Sequence, residues 1–473
     1  MHAPEQSLQE GEALVAAHAH GTPEFARGLA LLQQAAVAGL VEAELVLGHV
    51  HAQVHLLPDA DKQAAAWYRR AAERGHPAAQ DRLADLYMAG RGVSQSDAEA
   101  FAWYRRTAEQ AYPVAQCNLA YMLAEGIGTG ADEDAATSWY LRAAAQGDAR
   151  AYFNLGLRFR EGHGAPANAV QAAACMANAA RLGYPYANEE LAALQSQLTP
   201  AERADADALA VRIAANFDAL QRRLEREPVL AASADIYRRT VEEHFATLGV
   251  PAFATDPGLR PAGGRAAAPS RHQAGSRQEV AASPRVFTVD EFVSRGEAAH
   301  LMALASVDFR SAETGHDRLS QEHIAFTGSA ATLHTVLNDP VVRMLERRIA
   351  AAFSLTPAHV EPVSVLRYQG GDLYAPHVDY FDLPRLEYNR SIGDHGGQRS
   401  ASFLVYLKAP EAGGETDYIQ LGRKVAGRDR MALCHFNLLP SGEPDPETLH
   451  TGTAVTRGEK WLARTTLREQ PLY

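Results

Sequence analysis

The N-terminal part of the chain alternates between two kinds of segment, both with apolar residues at helical spacing. One kind is alanine-rich and ends in glycine, as in AAAWYRRAAERG at positions 64–75. The other follows directly, as in PAAQDRLADLYMAG at positions 77–90. Alanine and leucine favour helices, and glycine suits a helix C-terminus. The pattern therefore predicts pairs of helices joined by short turns.

This pattern has a period of 36 residues. Aromatic pairs mark it at Trp67-Tyr68, Trp103-Tyr104 and Trp139-Tyr140. Other columns keep the same spacing, and these are Gly39, Gly75, Ala111, Gly147 and Gly183; Ala43, Ala79, Ala115, Ala151 and Ala187; and Leu83, Leu119, Leu155 and Leu191. Independent columns with one period indicate a repeat protein whose helix pairs stack into an α-solenoid. We expect the tryptophans to lie in its core.

The units resemble Sel1-like repeats, which are related to tetratricopeptide repeats. About five units cover residues 24–198, with degenerate units at both ends, and residues 1–23 form an N-terminal extension. The resemblance implies a protein-interaction module that performs no chemistry of its own.

The repeats are followed by a predicted helical connector, 199–250, and a predicted flexible linker, 251–284. Thr199 can cap a helix, with Pro200 in its first turn and Glu202 completing a capping box. The linker is rich in Ala, Gly, Pro, Ser and Arg, a composition typical of flexible segments.

From residue 285 to residue 473 the pattern changes again. Two helical segments come first, the second at about 339–353, and short β-rich segments follow, such as SASFLVYLKA and EKWLARTTLRE. Helices followed by many strands predict a β-sandwich or open barrel with helical support. The chain is therefore expected to be a multidomain α + β protein.

Length and composition restrict the function. A chain of 473 residues suggests two or three domains, and a formal charge of 45 − 57 = −12 argues against nucleic-acid binding. Three dispersed cysteines without a CxxC motif fit a reducing compartment. The N-terminus does not resemble a signal peptide, and no apolar run reaches the about 20 residues of a membrane span. We expect a cytoplasmic protein without a membrane partner.

One segment carries candidate chemistry. His377 and Asp379 lie two apart in a predicted strand, and alternate strand residues point to the same face. One imidazole and one carboxylate would supply two ligands of a metal site. The chain further on would have to supply a second histidine.

The candidates for this second histidine are His395, His435 and His450. His395 lies in a glycine-rich loop, and His435 is more typical of a packed, hydrogen-bonded histidine. His450 begins a strand that a turn joins to a returning strand with Lys460. Two histidines and one carboxylate leave three positions open on an octahedral ion, which suits Fe(II), a chelating cosubstrate and dioxygen. Zinc is the alternative metal, but it leaves Lys460 without a function.

Residues 283–469 resemble the prolyl 4-hydroxylase-like group of Fe(II)/2-oxoglutarate-dependent dioxygenases. The motifs that carry this resemblance, in order, are RLS (318–320), RYQGGDLYAPHVDYF (367–381), HGGQRSASFLVYL (395–407), GGET (413–416) and LHTGTAVTRGEKW (449–461). The resemblance implies a double-stranded β-helix, or jelly-roll, with supporting helices.

The resemblance also implies roles for single residues. His377, Asp379 and His450 would bind iron, and Lys460 would pair with the distal carboxylate of 2-oxoglutarate. Hydrogen bonds from Tyr368 and Thr416 would support that carboxylate. The substrate contacts implied are Tyr374 and Arg399, although Arg399 also fits an ion pair within the protein. Thr466 stands where relatives often have tryptophan, which points to a different substrate.

The implied activity is hydroxylation of a prolyl or related residue in a protein or peptide recruited by the repeats. Fe(II), 2-oxoglutarate and dioxygen would be required, ascorbate is a further candidate cofactor, and succinate and CO₂ would be coproducts. Two alternatives remain at this point. One is an interaction scaffold with a weakly active or sensor-type oxygenase domain. The other is hydroxylation of a free amino acid or small peptide.

Overall fold

A computed structural model describes residues 3–18, 21–53, 59–226, 275–282, 284–312, 326–333, 339–381 and 396–471. These residues fall into two compact units. The first contains Met1–Arg271 with Asn338–Pro340, and the second contains His272–Leu337 with Val341–Tyr473. Each unit has its own architecture.

The first unit is helical, and its helices pack mainly against their neighbours in the chain, except that the last helix packs on the helix two before it. The helices are α1 (Pro4–Ala17), α2 (Pro23–Val37), α3 (Val41–Gln53), α4 (Ala60–Glu73), α5 (Pro77–Ala89), α6 (Asp97–Glu109), α7 (Pro113–Glu125), α8 (Glu133–Ala145), α9 (Ala149–Glu161), α10 (Ala169–Arg181), α11 (Ala187–Gln197) and α12 (Pro200–Arg226). This arrangement confirms the predicted α-solenoid of helix pairs.

The ends of these helices follow the 36-residue period. Equivalent N-cap side chains accept a hydrogen bond from the backbone amide three residues on, and they are Ser96, Asp132 and Asn168. Left-handed glycines end the preceding helices, namely Gly90 (φ 69°), Gly126 (φ 72°) and Gly162 (φ 76°). In the next turn, a Cβ on Gly128 would lie 2.2 Å from the backbone oxygen of Asp97. Only glycine fits there without a backbone shift.

The aromatic pairs form much of the core of this unit. Tyr68, Tyr104 and Tyr140 have exposed fractions of only 2%, 0% and 3%. An arginine three residues after each tryptophan covers the indole ring, at 4.6 Å for Trp67, 4.6 Å for Trp103 and 4.4 Å for Trp139. Trp103 and Trp139 are buried, as the sequence predicts, whereas Trp67 is only partly buried and packs against the core of the first helices.

The second unit combines helices and short strands. Its helices are α13 (Arg295–Ala312) and α14 (Pro340–Ala352), with 3-10 turns at Pro357–His359 and Pro446–Thr448. Its strands are β1 (Arg277–Ala282), β2 (Arg285–Val289), β3 (Ser329–Thr332), β4 (Ser364–Tyr368), β5 (Tyr374–His377), β6 (Arg399–Lys408), β7 (Ala412–Gly413), β8 (Thr416–Tyr418), β9 (Arg423–Val425), β10 (Ala432–Phe436), β11 (His450–Gly452), β12 (Val455–Arg457) and β13 (Lys460–Arg468).

The strand pairs are antiparallel in every sheet. Within the described residues, a seven-stranded sheet has the order β1-β2-β10-β6-β13-β4-β3, and a four-stranded sheet has the order β5-β11-β8-β9. Strands β12 and β7 form a separate pair. The crossed order, in which several strands adjacent in sequence, such as β4 and β5, lie in different sheets, is typical of jelly-roll folds. The predicted fold class of this domain is confirmed.

The segment between the units was predicted with mixed success. The capping box at the start of α12 is present, since Thr199 N donates to Glu202 Oε2 at 2.9 Å and Glu202 N donates to Thr199 Oγ1 at 3.3 Å. Residues 227–274 lie outside the described residues. They include the last part of the predicted connector, 227–250, and most of the predicted linker, 251–274. The linker does not extend to residue 284, because Arg277–Ala282 pair with β2 and Val280 packs on the core. The sequence did not predict this edge strand because the segment has the polar composition of a linker.

Aromatic and aliphatic side chains from both larger sheets meet in one core. Its members are Val286, Leu366, Tyr368, Leu404, Tyr406, Tyr418, Val425, Met431, Leu433, Val455 and Leu462. Strands β4, β8 and β13 of this core also carry Tyr368, Thr416 and Lys460, and Tyr374 of β5 packs against it, so the core fixes the positions of those strands. In the parts of the chain described, no helix has the length and apolarity needed to cross a membrane.

Candidate metal centre

The two candidate histidines lie opposite each other on neighbouring strands. His377 is the last residue of β5, His450 is the first residue of β11, and the antiparallel register pairs them directly. Asp379 lies in a bend beyond the end of β5, whereas the sequence predicts a strand through this position. The strand ends at His377 because the ladder with β11 ends there. The bend still brings the carboxylate to the two imidazoles.

Both imidazoles are oriented by the main chain. His377 Nδ1 lies 2.8 Å from the carbonyl oxygen of Ala375, and His450 Nδ1 lies 2.9 Å from that of Thr448. Each carbonyl can only accept, so Nδ1 carries the proton and Nε2 keeps its lone pair. Burial lowers the pKa of His377, and burial lowers the pKa of His450 to about 3. Both rings are therefore neutral, as metal ligation requires.

The three side chains meet at a single buried point. His377 Nε2 is 3.6 Å from Asp379 Oδ1, and His450 Nε2 is 3.8 Å from Asp379 Oδ2. One ligand atom from each residue lies within 4.8 Å of the others. The exposed fractions are 8%, 2% and 4% for His377, Asp379 and His450. A single ion can contact all three residues.

The carboxylate of Asp379 is ionised, and only one of its two oxygens accepts a hydrogen bond from a described residue. Burial opposes its ionisation, but the Arg464 guanidinium and the nearby imidazoles hold its pKa well below the usual range. Arg464 donates to Oδ1 at 2.8 Å. Oδ2 is buried, and His435 Nε2 lies 3.4 Å from it, but the geometry of that contact is not that of a hydrogen bond and no described residue donates one to Oδ2. An unpartnered carboxylate oxygen between two free imidazole lone pairs fits a divalent metal, with positions open for further ligands.

Lys460 is a buried cation beside this site. Its exposed fraction is 1%, and burial lowers the pKa of its ammonium to about 8. Nζ donates to the carbonyl of Gly414 at 2.9 Å and lies over the ring of Tyr368, 4.6 Å from its centroid. The carboxylate of Glu415 attracts the ammonium electrostatically, but no carboxylate within the described ranges lies at ion-pair distance from it. A buried ammonium that no carboxylate contacts fits an anionic ligand.

The other predicted cosubstrate residues lie in the same cavity. Tyr368 and Thr416 line it together with Lys460, His377 and His450. Tyr368 pairs with Lys460 across β4 and β13, which brings the phenol next to the ammonium. The structure thus brings together the three metal-site residues and the three residues predicted to bind 2-oxoglutarate.

Sequence reasoning missed Tyr406. Its hydroxyl lies 2.8 Å from Thr416 Oγ1, and its ring lies 5.2 Å from Lys460 Nζ. The residue is fully buried in β6. A phenol in the otherwise apolar run FLVYL was the signal available, since buried hydroxyls need a polar partner. Tyr406 orients Thr416 toward the cavity.

The two predicted substrate residues have different environments. The Tyr374 ring stacks on His377 at a centroid distance of 3.9 Å, and Tyr374 lines the cavity. Arg399 donates from Nε and Nη2 to Glu361, both at 2.9 Å, and its Nη1 lies 3.3 Å from the backbone oxygen of Asp379. The guanidinium of Arg399 is therefore held by an ion pair within the protein. Its substrate contact stays a prediction, as does that of Tyr374.

Of the remaining candidate positions, two are buried inside the domain and the others lie outside the described residues. His435 is fully buried, and its Nδ1 lies 2.9 Å from the hydroxyl of Tyr418, as expected for a packed, hydrogen-bonded histidine. Thr466 is buried in β13. His395 and the RLS motif at 318–320 lie in segments that the structure does not describe.

Comparison with known families finds a match for each of the two units. Residues 43–76, 77–112, 113–148 and 149–184 each match the Sel1 repeat. Residues 363–467 match the 2OG-Fe(II) oxygenase superfamily. The matched oxygenase segment contains all of the residues predicted to bind the metal and the cosubstrate.

Similar proteins include prolyl 4-hydroxylases from plants and animals. The chain is 31% identical over 208 residues to Probable prolyl 4-hydroxylase 4 of Arabidopsis thaliana, covering 39% of this chain and 68% of that protein. It is 33% identical over 200 residues to Prolyl 4-hydroxylase subunit alpha-3 of Rattus norvegicus, covering 42% of this chain but 36% of that protein. A viral collagen prolyl hydroxylase from Paramecium Bursaria Chlorella virus-1 is a structural neighbour at 24% identity and a TM-score of 0.30, covering 39% of this chain and 94% of the viral chain.

Proposed function

Since the chain belongs to the 2OG-Fe(II) oxygenase superfamily, we propose that it hydroxylates a prolyl or related residue of a protein or peptide that its repeats recruit. The chain is a 2-oxoglutarate-dependent dioxygenase with a prolyl 4-hydroxylase-like domain, and this family uses Fe(II), 2-oxoglutarate and dioxygen. The observation that carries the proposal is the buried His377, Asp379 and His450 site beside Lys460, a buried cation that no described carboxylate contacts at ion-pair distance.

Each residue of the site has a defined task in this proposal. His377, Asp379 and His450 hold Fe(II), and Lys460 binds the distal carboxylate of 2-oxoglutarate. Tyr368 and Thr416 add hydrogen bonds to that carboxylate. The bound iron and 2-oxoglutarate together supply the chemistry that transfers one oxygen atom of O₂ to the substrate, with succinate and CO₂ as coproducts.

The protein itself contributes orientation and a dry cavity. Leu366, Leu404 and Leu462 form apolar walls of the cavity that His377, His450 and Lys460 also line. Excluding water from such a cavity strengthens the attraction between an ammonium and a carboxylate. Burial lowers the pKa of the Lys460 ammonium, and a carboxylate that enters the cavity raises this pKa again.

The repeats suggest how a substrate reaches the enzyme. Sel1 repeats are protein-interaction modules, which favours a protein or peptide partner over a free amino acid. The charge of −12 does not favour nucleic acid as the partner. A cytoplasmic location without a membrane partner, and use of ascorbate, belong to the proposal as expectations from the sequence.

The proposal is tested by trapping substrates with the full chain. The His377→Ala variant is used to capture proteins from a lysate, and the captured proteins are then treated with the wild-type enzyme, Fe(II) and 2-oxoglutarate. We expect mass spectrometry to find a partner that gains one oxygen atom on a prolyl or related residue, with stoichiometric succinate. Treatment with the His377→Ala protein is the matched control.

Two other outcomes would point to the alternatives. If wild-type protein binds neither Fe(II) nor 2-oxoglutarate, the chain is an interaction scaffold and the enzymatic proposal is wrong. If free proline or a short peptide stimulates succinate formation whereas no captured protein is modified, the substrate is a small molecule.

A further inference from the structure

A third histidine lies against two of the metal-site residues. His435, in β10 of the seven-stranded sheet, is fully buried, and the centroid of its ring lies 4.8 Å from that of His450. Its Nε2 lies 3.4 Å from Oδ2 of Asp379. His435 does not belong to the three residues whose ligand atoms lie within 4.8 Å of one another. It therefore contacts the metal site from outside the set of ligands.

Neither atom of this contact has a hydrogen bond elsewhere. Nε2 of His435 and Oδ2 of Asp379 are both buried, and no residue that the structure describes forms a hydrogen bond with either. Buried polar atoms without partners are costly, so two of them facing each other indicate an interaction. Their separation exceeds the usual N–H···O distance by about 0.4 Å, which a small rotation of the carboxylate removes.

The surroundings of the His435 ring show which nitrogen carries a hydrogen. Nδ1 lies 2.9 Å from the hydroxyl of Tyr418, which can donate as well as accept and so leaves Nε2 free to carry the hydrogen. A bare Nε2 would direct its lone pair at the ionised carboxylate of Asp379, whereas an Nε2–H is attracted to it. Nε2 of His435 therefore carries a hydrogen. In His377 and His450, by contrast, backbone carbonyls place the hydrogen on Nδ1.

The carboxylate of Asp379 needs a second donor to be fixed. Arg464 donates to Oδ1 at 2.8 Å, and a carboxylate held at one oxygen alone can turn about that contact. A carboxylate oxygen has two lone pairs, so Oδ2 can accept the hydrogen of His435 and still bind a metal ion. Hydrogen bonds behind metal ligands fix their orientation, and their loss weakens metal binding.

We propose that His435 is a positioning residue of the metal site, which directs its Nε2–H at Oδ2 of Asp379 and is itself oriented by the hydroxyl of Tyr418. The inference rests on the proposed function, because it takes the site to hold a divalent metal. Tyr418 pairs with His450 across β8 and β11, so this contact chain begins beside one ligand and ends at another. The two sheets are thereby joined directly behind the metal site.

The test measures the Mn(II) affinity of the full chain by calorimetric titration, without cosubstrate or turnover. His435→Phe keeps a ring at this position but removes the donor, and it should weaken Mn(II) binding by about 10- to 100-fold. His435→Gln should restore most of the lost affinity, because its side-chain amide carries an N–H donor at about the reach of Nε2. A residue that acted only by packing would not be replaced by glutamine.

Two further variants test the contact chain and the strand. Tyr418→Phe removes only the hydroxyl and should weaken Mn(II) binding by about threefold or more. In a protein that already carries His435→Phe, the same change should have no further effect, because it acts through the imidazole. Cys434→Ala is the matched control, since Cys434 is also fully buried in β10 but points to the opposite face. It should lower the melting temperature and leave the Mn(II) affinity nearly unchanged.

The results distinguish this inference from the function it rests on. If His435→Phe binds Mn(II) like wild type, or if His435→Gln binds it as weakly as His435→Phe, the inference is wrong. If Tyr418→Phe causes the same loss with and without the imidazole, the two residues act separately and the inference is also wrong. If His435→Phe does not fold, Tyr418→Phe decides, and an unchanged affinity overturns the inference. If wild-type protein binds no Mn(II), the proposed function itself fails.

Discussion

The two units of this protein distribute their important contacts in opposite ways. In the repeats the same contact recurs one period later: Gln110 donates to Gln80 at 2.6 Å, and Gln146 donates to Gln116 at 2.9 Å. In the oxygenase unit the site depends on single side chains, such as Asp379 and Lys460, brought together from distant positions. Repeat stability is approximately a sum over similar units, whereas a metal site needs every ligand at once.

This difference has a practical consequence for mutagenesis. Changes in the repeats should produce graded effects on stability, since neighbouring units keep equivalent contacts. Changes in the site should produce losses of function that other residues do not replace. Four substitutions test this contrast, in order of the expected effect.

The largest effect is expected for His377→Ala. The variant loses one of the three metal-site residues, so Fe(II) binding and succinate formation should fall below detection. Succinate release and Mn(II) titration measure the two losses. The thermal unfolding of the variant should stay close to that of wild type. Full turnover by this variant would show that the metal site has been assigned wrongly.

The next effect is expected for Lys460→Met, which should weaken 2-oxoglutarate binding by about 10- to 100-fold. The wild-type affinity should also depend on pH. Burial lowers the pKa of Lys460 to about 8, so the cation that binds the carboxylate is lost as the pH rises above this value. Calorimetric titrations of wild type across this range should show declining affinity. A flat profile in wild type, or the same decline in Lys460→Met, would contradict this role.

A moderate effect on stability alone is expected for Tyr104→Ala. The ring is fully buried, so its removal should reduce the free energy of unfolding of the repeat unit by about 3 kcal/mol. The 2-oxoglutarate affinity of the oxygenase unit should change by less than about twofold, because every residue that lines the cavity belongs to the second unit. Denaturant unfolding and ligand titration measure the two. A parallel loss of affinity would show that the units are not energetically independent.

The smallest effect is expected for Gly128→Ala. A Cβ there would lie 2.2 Å from the backbone oxygen of Asp97, at a φ of +69°. The strain should cost about 1–3 kcal/mol and lower the melting temperature. Gly130→Ala is the matched control, because its Cβ would meet nothing within 4 Å. Equal melting temperatures for the two variants would argue against a steric requirement at Gly128.

The same contrast explains what the sequence could predict. Repeat helices, caps and buried aromatics were predictable because each signal recurs at a fixed spacing. The metal ligands were predictable because motif order marks them. The contacts of Arg464 were not predictable, because its partners Asp379 and Tyr374 lie 85 and 90 residues away in the chain. The ion pair of Arg399 likewise could not be predicted without the position of Glu361, which lies 38 residues away in the chain.

The backbone carbonyls behind His377 and His450 have a consequence for how such a site can change over generations. Both imidazoles take their orientation from the peptide group two residues upstream, which no side-chain substitution removes. Asp379, by contrast, is oriented by a side chain, that of Arg464. Random substitutions can therefore change the side chains that orient the carboxylate ligand, while the two imidazoles keep their orientation. Asp379 is the adjustable ligand of this centre, and its neighbours are where laboratory evolution of new reactivity should start.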